Sequence, residues 1–287
     1  MKGNLLSFIL HTIRKFRLIH LHWMSLDMAA GAIISQLALS RIPLGKAAIN
    51  YPVTIVLGLG VFIVSNLNRL LDNRKPAKTE TKRFLSNQKE RIDFLKIIAS
   101  ALTFAIGTGF FLPANLWKLC IGLTVFSGLA LWLTSRLPDK SPLQVLREPF
   151  YAAVLTTAIL GSIVLNGPDP GIEIKYISIL FFLIVFQNFL LASYFDAVEY
   201  ANASNMATRL KALLAKQILH CITLIVLAGC IAICLKTEFR YTQRLSIILL
   251  SMSVLQSLIL QKTKFLTQNI YKGILITLVL ILPFLVL

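Results

Sequence analysis

The sequence predicts an all-α, polytopic integral membrane protein with about nine transmembrane helices. Of its 287 residues, 56% are hydrophobic and only 14% are charged, and the mean hydropathy is +0.76. Soluble domains contain about 25% charged residues, so this composition is typical of a chain that lies largely in lipid. A second observation is a series of apolar stretches that are long enough to cross about 30 Å of hydrocarbon.

Short polar loops separate the nine predicted spans, which form one transmembrane domain over residues 20–287. The spans run approximately over residues 21–40, 51–71, 94–112, 116–135, 150–166, 174–195, 213–235, 244–261 and 269–287. Residues 1–19 combine an apolar stripe at helical spacing with Arg14, Lys15 and Arg17. No small-residue cleavage site follows this stripe, so the pattern predicts an interfacial basic amphipathic segment rather than a signal peptide.

The net charge of +17 follows the predicted topology. When the N-terminus is placed in the cytoplasm, 20 of the 29 Lys and Arg residues lie in cytoplasmic segments and 7 lie in segments on the other side. Such a bias is the signature of the positive-inside rule. We therefore predict a cytoplasmic N-terminus and an outer C-terminus in a bacterial inner membrane. Because topology explains the basicity, we predict no nucleic-acid partner.

Two short polar clusters, which we call the first and second islands, interrupt the apolar pattern. The first island is residues 65–75, at the end of the second span, and the second island is residues 194–202, at the end of the sixth. Charged side chains near hydrocarbon cost a few kcal/mol each, so they tend to mark functional sites. Both islands fall on the cytoplasmic side in the predicted topology, which indicates one shared site.

The residue types in the islands indicate a site for a metal ion and a phosphate group. Helical spacing places Asn68 and Asp72 on one face, and Asp196 and Glu199 are neighbours on another helix. Carboxylate and amide oxygens are the ligands that Mg²⁺ prefers. The loop after the first island adds cations suited to a diphosphate, namely Arg74, Lys75, Lys78, Lys82 and Arg83. Together these features predict a lipid diphosphate site, whereas the alternative is a solvated helix boundary.

The chain resembles the UbiA superfamily of intramembrane prenyltransferases, which have nine helices and Asp-rich motifs after the second and sixth. Asn68 and Asp72 match the Asn and one Asp of the first motif, and Arg69 replaces its first Asp. In the second motif, Asp196 and Glu199 match the first two acidic positions. The resemblance covers nearly the whole chain in layout and about half of the diagnostic motif positions.

The resemblance implies a helical bundle with a central cavity that faces the cytoplasm. It implies Mg²⁺ ligands at Asp72, Asp196 and Glu199, of which Asp72 and Asp196 have catalytic roles. It also implies that the diphosphate is bound by Asn68, Arg69, Lys82 and Arg83. The expected activity is transfer of a prenyl group from a prenyl diphosphate to a membrane-soluble aromatic or lipid acceptor in the bilayer.

Two other functions compete with this interpretation. One is a non-catalytic protein of the same fold that binds an isoprenoid lipid or a membrane partner. The other is a transporter, which the position of the acidic residues at helix ends disfavours, since transporters carry polar sites at mid-membrane depth. Asp27 either lines the cavity or has a capping or pairing role near the interface. Gln187 and Asn188 are predicted to join helices through hydrogen bonds.

Overall fold

The computed structural model describes residues 22, 24–46, 49–72, 91–136, 141–166, 171–199, 205–263 and 272–287, and in these ranges the regular elements are all helical. The elements are α1 (Leu26–Leu39), α2 (Tyr51–Asp72), α3 (Arg91–Gly109), α4 (Ala114–Arg136), a 3-10 turn (Pro142–Leu146), α5 (Arg147–Asn166), α6 (Gly171–Glu199), α7 (Met206–Leu210), α8 (Ala212–Lys236), α9 (Arg240–Gln261), α10 (Lys272–Leu278) and a C-terminal 3-10 helix (Val279–Val286).

Six segments of the described chain are long and apolar enough to cross a membrane. They lie within α2, α4, the 3-10 turn with α5, α6, α8 and α9. The other three predicted spans fall on shorter apolar helices, at Leu26–Leu39, Phe94–Gly109 and Gly273–Val286. The prediction of an all-α, polytopic membrane protein is therefore confirmed at this level, and the predicted segment 1–19 lies outside the described residues.

The long helix α6 forms the centre of the bundle. It packs against α5, α8, α9 and α10, and its apolar side chains Ile177, Phe181, Ile184, Leu190 and Leu191 are almost completely buried. In contrast, α3 and α4 expose large apolar side chains such as Phe104, Phe126 and Trp132. Exposed apolar residues on the outer helices are what a surface in contact with lipid tails requires.

Buried amides join α6 to its neighbours, as the sequence predicts. Gln187 Nε2 donates to Thr223 Oγ1 of α8 at 3.0 Å, and Ser253 Oγ of α9 donates to Gln187 Oε1 at 2.7 Å. Asn188 Nδ2 donates to the carbonyl of Ile276 in α10 at 2.7 Å. Because lipid cannot satisfy such groups, these bonds keep the polar atoms paired inside the bundle.

Successive long helices alternate in direction, so the two islands lie at the same end of the bundle, which we call the island end. Three contacts between elements distant in sequence define this end: Asn68 with Tyr151, Glu148 with Met206, and Asp27 with Thr277. The C-terminus of α2, the N-terminus of α5 and the C-terminus of α6 therefore lie together. The opposite end holds the turn after α1 and the start of α9.

Candidate functional site

Tyr151 of α5 lies between the two helices that carry the islands. Its hydroxyl donates a hydrogen bond to Oδ1 of Asn68 in α2 at 2.9 Å. Its ring packs against Phe189 of α6, with ring centroids 6.3 Å apart. A single side chain of α5 thus contacts both α2 and α6.

The acidic residues of the islands follow these contacts along the same helices. Asp196 comes seven residues after Phe189, which places it on the same face of α6 and about 10 Å nearer the helix end. Asp196 and Glu199 are both exposed. Asp72 is the last residue of α2, one turn after Asn68, and its side chain lies outside the described part of the chain.

Arg147 adds a cation between the islands. Its guanidinium carbon lies 5.8 Å from the centroid of the Tyr151 ring, in a cation–π contact one turn closer to the end of the bundle. An arginine in this position offers a flat set of N–H donors that suits phosphate oxygens. The described site therefore combines an amide, a phenol, a guanidinium and two exposed carboxylates.

Glu148, the next residue, faces a different part of the protein. Its carboxylate is 6% exposed and accepts a hydrogen bond from the backbone N–H of Met206 at 3.2 Å. Ser193 Oγ accepts from the N–H of Ala207 at 3.2 Å, and Asn205 caps α7 through Thr208. These contacts fix α7, which follows the second island, against α5 and α6.

Asp27 lies in a buried polar network next to the first island. Its Oδ2 is 2.6 Å from Nδ1 of His22 and also accepts a hydrogen bond from the hydroxyl of Thr277 in α10. The side chains of this pair are largely buried, with 10% of His22 and 9% of Asp27 exposed. The pairing interpretation of Asp27 is therefore confirmed, and the bond from Thr277 to Asp27 connects α10 to α1.

The C-terminal part of α2 holds the turn that precedes α1. Arg69 Nη1 donates to the carbonyl of His22, and Asn66 Nδ2 donates to the carbonyl of Met24 at 3.0 Å. Within this turn Ser25 is completely buried and has a φ of 57°, a left-handed conformation that is unfavourable for a residue with a side chain. Arg69 is therefore engaged with the backbone of α1's N-terminal turn as well as being part of the first island.

The donor set permits a magnesium ion only when another ligand completes the shell. Among the described residues, no group of three His, Cys, Asp or Glu side chains is arranged to hold a metal ion. Asp196 and Glu199 supply two carboxylates one turn apart. Because Mg²⁺ usually takes one or two carboxylates together with substrate phosphates, these donors fit an ion shared with a diphosphate.

The structure shows contacts for some of the predicted site residues, and the others lie outside the described part of the chain. Asn68 and the helix of Asp196 are joined through Tyr151, whereas Arg69 contacts the turn before α1. Lys82 and Arg83 lie outside the described residues, as does the side chain of Asp72. Their assigned roles remain predictions.

Sequence reasoning missed Tyr151 and the anchoring role of Glu148. Arg147 and Glu148 are adjacent at the start of α5, but their roles differ: Arg147 lies over Tyr151, and Glu148 is buried against α7. A tyrosine at the start of an apolar span has an ordinary interfacial interpretation. Only the packing of α5 between α2 and α6 distinguishes Tyr151 from such a residue.

Comparison of the chain with protein-family models, with curated proteins and with solved structures gave no match. The fold and site define a polytopic helical membrane protein with a cluster of ionisable and amide side chains at one end of its bundle.

Proposed function

We propose that the protein is a UbiA-like membrane prenyltransferase, which transfers a prenyl group from an isoprenoid diphosphate to an aromatic or lipid acceptor with Mg²⁺. The observation that carries the proposal is the position of Tyr151, which contacts Asn68 of α2 and Phe189 of α6. The helices of the two islands are thereby joined at one end of an apolar bundle. An isoprenoid diphosphate has the matching chemistry, because its head is anionic and its tail is apolar.

In this proposal, the residues of the first island and its loop bind the diphosphate. Asn68 donates through its amide, while Arg69, Lys82 and Arg83 neutralise its charge. Arg147, which lies over Tyr151, adds a further cation. These groups lower the barrier because negative charge grows on the diphosphate as its bond to the allylic carbon breaks.

The metal would be held by Asp72, Asp196 and Glu199 together with phosphate oxygens, and would supply further neutralisation of the diphosphate charge. The prenyl carbon then forms a bond to the acceptor, which loses a proton. The bundle around α6 excludes water from this carbon, since water would capture it in place of the acceptor.

The proposal includes the finer topology. All nine apolar segments cross the membrane, with the three shorter helices completing a UbiA-like bundle around a central cavity. The N-terminus lies in the cytoplasm and the C-terminus outside, in a bacterial inner membrane. The distribution of Lys and Arg supports this orientation, with 20 of 29 on the cytoplasmic side.

The proposal is tested by incubating the purified full chain in lipid nanodiscs with Mg²⁺, prenyl diphosphates of several lengths and a panel of aromatic and lipid acceptors. We expect acceptor-dependent release of pyrophosphate that disappears when Mg²⁺ is chelated. Asp196→Asn should abolish the release, and Glu173→Gln, which changes an acidic residue at the other end of α6, should not.

Failure of catalysis has two distinguishable outcomes. Tight binding of a prenyl diphosphate without any release would replace the enzyme by the non-catalytic alternative, a lipid-binding protein of the same fold. If neither binding nor release occurs with any chain length, the diphosphate site itself is wrong.

A further inference from the structure

The end of the bundle opposite the islands carries a second concentration of charge. The turn after α1 and the junction between α8 and α9 contain five basic residues and one acidic residue, Glu238. We call the five cations the basic patch; they are Arg41, Lys46, Lys236, Arg240 and Arg244. None of them belongs to the site proposed for the diphosphate.

Specific contacts bring the two segments of the basic patch together. The hydroxyl of Tyr241 donates to the carbonyl of Ala38 at 2.7 Å, and Thr242 Oγ1 donates to the carbonyl of Pro43 at 3.5 Å. Tyr241 also packs on Gly45, where a Cβ would lie 2.9 Å from the tyrosine ring. Gly45 has a φ of 77°, so both its conformation and its space favour glycine.

These contacts place the cations of both segments around the same turn. Arg41 donates to the carbonyl of Leu287 at 2.6 Å, whereas Lys46, Lys236, Arg240 and Arg244 are exposed. In the described part of the chain these four make no ion pair. Arg240 and Arg244 are one turn apart on α9, about 6 Å along the helix axis. Such spacing allows neighbouring cations to contact one phosphate group.

The position of the basic patch is unusual for a membrane protein. Under the predicted topology, only seven Lys and Arg residues lie in the non-cytoplasmic segments, and five of those seven gather here. Because the positive-inside rule disfavours cations on that side, their concentration requires another explanation. Binding of an anionic group is the simplest chemical one.

Apolar side chains beside the cations indicate the kind of anion. Leu44, at the tip of the turn, is 67% exposed, and Phe239 is 37% exposed. Cations next to exposed apolar and aromatic side chains are typical of the boundary between headgroups and acyl chains. We propose that the basic patch binds the phosphate groups of anionic membrane lipids.

The test uses the full chain in detergent micelles, titrated with phosphatidylglycerol or phosphatidylcholine while bound lipid is counted by native mass spectrometry. We expect the protein to prefer phosphatidylglycerol. The triple variant Lys46→Gln, Arg240→Gln, Arg244→Gln should bind that lipid at least tenfold more weakly, since each cation near an anionic surface strengthens binding by roughly fivefold.

A matched control removes three exposed cations elsewhere, with Lys118→Gln, Lys175→Gln and Lys216→Gln. We expect this control to bind phosphatidylglycerol within twofold of the wild type, and a loss equal to that of the first variant overturns the proposal. The charge-retaining variant Arg240→Lys, Arg244→Lys should keep most of the affinity. If it binds as weakly as the glutamine variant, charge attraction is not the cause.

Inorganic phosphate distinguishes a lipid from a soluble anion. At matched ionic strength, phosphate should displace phosphatidylglycerol only weakly compared with a short-chain anionic lipid, because Leu44 and Phe239 contact the lipid part. Displacement by inorganic phosphate as effective as that by the short-chain lipid would overturn the assignment of a lipid.

Discussion

The hydroxyl of Tyr151 donates a hydrogen bond of 2.9 Å to Oδ1 of Asn68, and this bond connects α5 to the polar face of α2. The same tyrosine ring packs on Phe189 of α6 and lies beneath the guanidinium of Arg147. Neither island was predicted to involve α5. Helix α5 therefore explains how the two islands, which are far apart in sequence, are held at the same end of the bundle.

We expect Tyr151→Phe to lower pyrophosphate release about tenfold, which corresponds to about 1.4 kcal/mol of activation free energy. The substitution keeps the ring contacts but leaves Asn68 without the bond that orients its amide. Stability should fall by only about 1 kcal/mol, the usual net contribution of one hydrogen bond. Kinetics and thermal unfolding of the purified protein measure the two effects.

Tyr176→Phe is the matched control, because Tyr176 is 56% exposed near the other end of α6. It should leave release and unfolding unchanged. If Tyr151→Phe releases pyrophosphate at the wild-type rate, the hydroxyl does not orient the site.

Two asparagines in α2 should separate stability from activity. Asn66 is 1% exposed and donates to the carbonyls of Met24 and Phe62, so Asn66→Ala should lower the free energy of unfolding by about 1–3 kcal/mol. Asn68→Ala should lower pyrophosphate release more than it lowers stability. Chemical denaturation and initial rates of both variants provide the comparison, and identical profiles would contradict the assignment of Asn68 to the site.

Asp27→Ala should destabilise the protein by about 3 kcal/mol, because it breaks the buried pair with His22 and removes the bond from Thr277 that joins α1 to α10. Glu238→Ala, which removes an exposed carboxylate, is the control and should have almost no effect. The midpoint of unfolding in detergent measures both. Similar midpoints for the two variants would mean that the Asp27 network contributes nothing to stability.

Gly273→Ala should disrupt the network of Asp27 and His22 through a steric clash. A Cβ at this position would overlap Nε2 of His22, so the imidazole must move and its contact with Asp27 is strained. Gly128 has no neighbour within 4 Å of such a Cβ, and Gly128→Ala should be neutral or slightly stabilising. In the double variant with Asp27→Ala, the cost of Gly273→Ala should be smaller than alone, since the pair is already lost.

Glu148→Ala should release α7 from the bundle, because the carboxylate accepts the N–H of Met206. Arg209 and Lys211 follow closely in sequence, so limited trypsin digestion should cut faster at these two residues. Glu148→Gln, which keeps an acceptor oxygen, should be cut at an intermediate rate. If both variants are cut as slowly as the wild type, Glu148 does not hold α7.

The helices and their order were predictable because hydrophobicity alone encodes them. The predicted spans over 51–71 and 213–235 nearly coincide with α2 and α8. The pairing of Gln187 and Asn188 was predictable for the same reason, since amides inside a bundle must find partners. The length of the shorter helices was not predictable. The apolar run over 21–40 includes the turn that precedes α1, and α1 itself begins only at Leu26.

The composition of the site was only partly predictable. Asn68 and Asp196 are polar residues at the ends of apolar runs, and this pattern can be read from the order of residues alone. Tyr151, Glu148 and the partner of Asp27 depend on which helices pack together, and no pattern in a single sequence specifies that. The contact of Thr277 with Asp27 joins residues 250 positions apart.

The central claim is that the two islands form one site, and cross-linking tests it most directly. In a background with Cys120, Cys221, Cys230 and Cys234 replaced by alanine, Asp72→Cys and Asp196→Cys are combined and treated with a short bismaleimide. The control pair is Asp72→Cys with Glu173→Cys, whose α6 residue lies about 35 Å from Asp196 along the helix. We predict efficient cross-linking of the first pair and none of the second. No cross-link in the first pair, with both cysteines reactive toward a monofunctional maleimide, would contradict a shared site.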